Sequence, residues 1–157
     1  MGGEREMLNA WLDWHRATLA HKCDGLSDEQ LHEHSALPSA LSLLGLVRHM
    51  AEVERNWFRR VLTGEAVPLI YSPDWDFQAA YDVTGADVAE AFDTWRAECD
   101  TSRRAESSAL SLDVAGSLRN GESVSLRWIM IHMIEEYARH NGHADLLRER
   151  IDGVTGE

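Results

Sequence analysis

A chain of 157 residues with 44% apolar content and six tryptophans can fold around its own core, which excludes a disordered protein. A net charge of −12 excludes nucleic acid and anionic membranes as main partners, because both require clustered basic residues. A single domain over residues 1–157 is expected.

No apolar run approaches the ~20 residues needed to span a bilayer. The opening Met1-Gly2-Gly3-Glu4-Arg5-Glu6 lacks the apolar core of a signal peptide. A cytoplasmic location follows as an expectation. Cys23 and Cys99 are too few for a disulfide framework and lack CxxC spacing, so both thiols are expected to be reduced.

The first amphipathic helix runs from Glu4 to Cys23, with Met7, Leu8, Trp11, Trp14, His15, Thr18 and Leu19 at spacings of three and four. Asp24-Gly25 stops it. Ser27-Asp28-Glu29-Gln30 has the capping-box pattern of a short helical turn, and His32 and His34 fall in the loop beyond. A second helix spans Ser42 to Leu62. With His49 at zero on a helical wheel, Val53 falls at about 40°, Leu46 at about 60° and Trp57 at about 80°. His49 is therefore on the apolar face, while Glu54, Arg55 and Arg59 lie largely elsewhere.

Residues 65–83 hold Pro68 and Pro73 and lack helical periodicity. They form the longest connection, of the crossover kind that some four-helix bundles use. Thr84-Gly85-Ala86-Asp87 reads as an N-cap at Thr84 followed by a first-turn acid, and opens a third helix from about Ala86 to Ser107, with Val88, Phe92, Trp95 and Cys99 on one face. In residues 108–124 the Asn120-Gly121 pair suits a small hairpin. The fourth helix is capped by Ser125 and reaches at least Leu147. A polar tail, Gly153 to Glu157, follows. Four such helices and no credible sheet specify an all-α four-helix bundle with a long crossover between helices two and three.

The fourth helix carries the chemistry. With His132 at zero, His143 falls at about 20°, Glu136 at about 40° and His140 at about 80° on the wheel. The same stripe holds Ile129 and Leu147, both at about 60°. Ionisable groups on a core-facing stripe are costly unless paired, hydrogen-bonded or bound to a metal. Glu136 and His140 are one turn apart and can converge on one point; His49 from helix two supplies a third donor. This set suits zinc, nickel, iron or manganese and leaves positions open for water or substrate. The competing reading makes each residue a hydrogen-bonded histidine or an ordinary i,i+4 contact. His132 and His143 share the stripe as supporting donors or substrate and cofactor contacts, and His15 of the first helix could reach the same cavity. His21, His32 and His34 have no such context and are expected to be solvated. GxGxxG, P-loop, HExxH and GxSxG motifs are absent.

The stretch Leu43-Leu44-Gly45-Leu46-Val47-Arg48-His49-Met50-Ala51-Glu52-Val53-Glu54, followed by Trp57-Phe58, resembles helix two of the DinB-like superfamily. His132-Met133-Ile134-Glu135-Glu136-Tyr137-Ala138-Arg139-His140-Asn141-Gly142-His143 resembles its last helix. More narrowly, the chain resembles the DUF664 branch. The resemblance implies a four-helix bundle, often a homodimer, with a divalent metal between helices at His49, Glu136 and His140. Many DinB-like proteins use three histidines. A His-Glu-His set is similar to the mycothiol-dependent maleylpyruvate isomerase relatives, which bind zinc. Lys22 is the only lysine among fifteen basic residues, which agrees with a GC-rich actinobacterial source and with mycothiol as the thiol. The leading functional reading is a zinc-dependent transferase or isomerase acting through a small-molecule thiol on an electrophilic substrate. A metal-dependent hydrolase and a non-catalytic metal- or ligand-binding bundle are the alternatives.

Overall fold

The structure is a computed structural model that describes residues 2–155; the last two residues of the expected polar tail lie outside the described residues. Its elements are α1 (Glu4–Cys23), α2 (Asp28–His32), α3 (Leu43–Glu54) continued by a π-helix (Arg55–Leu62), a 3-10 turn (Phe77–Tyr81), α4 (Val88–Ser108), β1 (Ala115–Ser117), β2 (Ser123–Ser125) and α5 (Leu126–Asp152). The caps explain the boundaries. Ser42 Oγ accepts from the Gly45 amide, and Ser125 Oγ accepts from the Trp128 amide. Ser27 and Gln30 exchange the two bonds of the expected capping box. Asp87, not Thr84, caps α4 by accepting from the Glu90 amide. Gly153 closes α5 in the left-handed conformation, beyond the Leu147 turn that sequence periodicity reaches.

Side-chain ties fix the helix directions. Arg127 at the start of α5 pairs with Glu4 at the start of α1, while Arg148 near the end of α5 bonds the Lys22 and Asp24 carbonyls at the end of α1. These two helices are parallel. Glu54 meets Tyr137 and His49 meets His140, so α3 runs antiparallel to α5. Arg103 meets Asp13 and Arg5 meets Ala109, so α4 runs antiparallel to α1. Helices α3 and α4 are then parallel, and the chain between them must return along the bundle. Residues 63–87 do so, as the expected crossover. Buried Glu52 accepts the Ile70 and Tyr71 amides, and Arg48 donates to the Ala80 carbonyl with its guanidinium over the Tyr71 ring. The two strands pair antiparallel around Asn120-Gly121, the expected hairpin.

Two expectations are corrected. In α1, Leu8, Leu12, His15, Leu19 and Cys23 face the core, while Met7, Trp11 and Trp14 point outward, each about half exposed. The two stripes are neighbours with the same three-and-four spacing, so periodicity cannot choose between them. In α3, Glu54 is 0% exposed instead of lying away from the apolar face. This helix is central, buried on nearly every side, and each of its charged residues needs a partner whatever its angle on the wheel. The wheel also fails beyond Glu54. The Thr63 amide donates to the Phe58 carbonyl five residues back, and this π geometry re-aims the side chains that follow.

Candidate functional site

The bundle brings His49 of α3 together with Glu136 and His140 of α5. Their donor atoms lie within 4.8 Å of one another. Glu136 Oε2 is 3.4 Å from His140 Nε2 and 4.0 Å from His49 Nε2, and the two imidazole centroids are 4.7 Å apart. Both histidines are buried and Glu136 is partly buried. Four ligands at about 2.1 Å in a tetrahedron stand about 3.4 Å apart, so the spacing suits one small divalent cation with a slight closing of His49. Its Nδ1 is buried with no partner among the described residues.

Protonation favours the same reading. Hydrogen bonds to His140 and His49 hold the Glu136 carboxyl far below the usual carboxylate range. Burial pushes His140 down, towards the neutral form that has a lone pair to offer. An anionic oxygen facing two imidazole nitrogens is a donor set ready for a metal.

The surrounding shell comes from three elements. His143 Nδ1 is 3.3 Å from His140 Nδ1. When His140 offers Nε2 to a cation, its Nδ1 carries the proton and donates to His143, which fixes ring and tautomer. Tyr81 of the 3-10 turn stacks on His49 at 4.8 Å and 21°. It reaches that position because Gly45 lets the Tyr81 backbone approach; a Cβ there would lie 3.3 Å from Tyr81 Cα. Burial and the Glu136 carboxylate push the Tyr81 phenol up, so it stays a neutral wall. His132 sits 3.7 Å from Glu136 Oε1, stacked on Trp128 and edge-on to Trp57. Beside the cluster opens a cavity of about 640 Å³ whose lining includes His140, His143, Tyr81, His34, Gln78 and Thr84.

Of the expected histidines, His49, His140, His132 and His143 gather at this site. His15 does not line the cavity. Its ring contacts Trp11 and Trp14, and the Asn141 side chain bonds both its Nδ1 and its backbone carbonyl. His32 is the last residue of α2, not of a loop, and its ring bonds the Asp28 and Ala86 carbonyls, so it ties the helix end to the crossover instead of being solvated. His34 is exposed but borders the cavity, a position that no periodicity in its loop could reveal. Sequence reasoning also misses Tyr81, in a crossover that reads as loop; the available signal is Gly45 inside a helical pattern, which marks a close backbone approach. Neither cysteine lines the cavity or belongs to the His49–Glu136–His140 cluster. Both are free and buried, and burial pushes both thiols up, Cys23 to about 12.

Among the described residues, no helix is long and apolar enough to cross a membrane. No curated protein and no solved structure matches the chain. The family model described as Mycothiol-S-transferase matches residues 7–153. With the helical bundle, the crossover and the clustered histidines already in place, that match over nearly the whole chain means that the protein belongs to the mycothiol-S-transferase family, a DinB-like family.

Proposed function

We propose that this protein is a divalent-metal-dependent transferase that uses mycothiol as its sulfur nucleophile, with zinc as the expected metal. The observation that carries the reading is the cluster of two imidazoles and one carboxylate beside a cavity of about 640 Å³. That volume is in the range of small-molecule sites. His49, Glu136 and His140 would hold the metal, and a bound metal lowers the pKa of a coordinating thiol so that it reacts as thiolate. With a metal bound, His143 would accept from His140 Nδ1 and so keep Nε2 for the metal. Tyr81 closes one side of His49 and keeps its ring from turning. Ser39, Gln78 and Thr84 on the cavity wall offer hydroxyl and amide groups to a polar thiol. In the transfer, the sulfur lone pair forms a bond to an electrophilic carbon, the leaving group departs with its electron pair, and the thiol proton goes to solvent.

The test is metal analysis of the purified protein followed by an assay with 1-chloro-2,4-dinitrobenzene. Chloride release that requires both zinc and mycothiol is the expected result. Thiol-independent cleavage of an ester would support the hydrolase instead, and neither activity with metal tightly held would support a binding bundle. The expected homodimer has a surface available in the outward Met7, Trp11 and Trp14 of α1. Sedimentation at micromolar concentration that finds only monomer would remove it.

A further inference from the structure

A second cavity, of about 460 Å³, shares no lining residue with the first. It lies between the π-helical end of α3, the crossover and the β-hairpin, and its lining includes Arg60, Arg119, Trp75, Val61, Leu118 and Asn56. In a chain of net charge −12, most arginines have carboxylate partners. Here the Arg60 and Arg119 guanidiniums lie 4.6 Å and 4.7 Å from the centroid of one indole, Trp75. Among the described residues neither has a carboxylate partner, and no acid lines the cavity. Arg60 donates to the Val67 carbonyl, which fixes it, while its Nε is sealed from solvent without a partner.

The walls are set before any ligand arrives. Gly116 of β1 packs directly on the end of the π-helix, where an added Cβ would lie 2.5 Å from the Val61 carbonyl oxygen. The hairpin that carries Leu118 and Arg119 is thereby seated on the helix that carries Arg60. Trp75 is held at φ 64, a conformation rare for a bulky side chain.

We propose that this cavity binds a small carboxylate with an apolar, aromatic body. The two guanidiniums supply paired N–H donors that match carboxylate oxygens. Val61, Leu118 and the indole supply the surface that a bare inorganic anion would leave uncovered. The site does not depend on the metal reading above.

Full-length protein labelled with 5-fluorotryptophan tests this by fluorine NMR, with the Trp75 resonance assigned through Trp75→Phe. Benzoate is titrated against inorganic phosphate at constant ionic strength. A saturable shift of the Trp75 resonance with benzoate is expected, weakened about tenfold or more in Arg119→Gln and in Arg60→Gln. Arg60 is half-buried and its substitution could disturb folding, so Arg119→Gln, on the exposed hairpin loop, decides the outcome with its thermal unfolding unchanged. No shift with benzoate, a shift of full strength in Arg119→Gln, or phosphate acting as well as benzoate would each overturn the proposal.

Discussion

Glu54 and Glu136 are both carboxylates held inside the bundle, and their surroundings are opposite. Glu54 takes two bonds from Arg16 at 2.8 Å and 2.9 Å, one from the Tyr137 hydroxyl at 2.8 Å and a weak one from the Cys99 thiol at 3.6 Å. Trp95 in turn donates to Tyr137. These residues come from α1, α3, α4 and α5, so one closed polar cluster ties all four long helices. Burial alone would raise the Glu54 carboxyl, but the Arg16 charge and the hydrogen bonds outweigh it and hold Glu54 below its ordinary value. Glu136 has His140 and His49 at Oε2 on its inner side, and His132 at 3.7 Å and Arg139 at 3.4 Å at Oε1 on the outer. Burial keeps His140 towards neutral, so no permanent cation answers the carboxylate from within. A saturated cluster locks the fold; an unsaturated one has a place for a ligand.

The largest break in this comparison is Arg16→Met. It leaves Glu54 buried without its cation and should cost about 3–5 kcal/mol in urea unfolding. The double variant Arg16→Met with Glu54→Gln should recover much of that loss, because no unpaired charge remains. A cost under about 1 kcal/mol for Arg16→Met would mean that the cluster is not closed as described.

Glu136→Gln should behave the other way. The metal-free protein should lose less stability than Arg16→Met does, because the amide oxygen still accepts from the imidazoles and no buried charge is left unpaired. Metal affinity should fall by more than the roughly 10–100-fold expected of a supporting residue, and zinc should no longer raise Tm. His49→Ala should lose the zinc response as well, while His32→Ala keeps it. Zinc stabilisation lost in His32→Ala but retained in His49→Ala would mean that the ligands are wrongly assigned.

The contrast between the clusters also marks how far sequence can be read. Helix existence, the crossover and the hairpin are legible because periodicity, prolines and Asn120-Gly121 are local signals. His49, Glu136 and His140 are legible because each sits on a regular stretch of α-helix where the turn of about 100° per residue holds. The Glu54 cluster is not. Its five members come from four helices, and nothing local says that α3 is buried on all sides. Met7, Trp11 and Trp14 are misplaced by periodicity because an apolar stripe turned outward has the same spacing as one turned inward. Tyr81 reaches the cavity from a 3-10 turn too short to show a period, and His34 from a loop that has none.

A smaller effect sharpens the view of the ligands themselves. His143→Ala removes the partner of His140 Nδ1 and should weaken zinc binding by about 10–100-fold without abolishing it. Isothermal titration against metal-free protein measures this. Loss as complete as in Glu136→Gln would make His143 a ligand, and no change would leave His140 oriented by packing alone.

The smallest effect concerns His15, which is buried like His140 but faces Asn141 and tryptophans instead of a carboxylate. Burial lowers its pKa below 6.5. The unfolded chain therefore takes up this proton at a higher pH than the folded one. Between the two pKa values the unfolded state binds more protons, so stability rises with pH there. Above about 6.5 the contribution is flat, and as pH falls below that value stability is lost until the folded pKa is passed. Urea unfolding in the presence of a chelator, at about pH 7.5 and about pH 5.5 to bracket the unperturbed histidine value, removes metal linkage from the measurement. His15→Gln should lose less stability than the unmutated protein over that interval, by no more than about 1.4 kcal/mol per pH unit. Equal losses in the two proteins would show that His15 takes its proton as easily folded as unfolded, and would leave acid sensitivity to the groups around Glu136.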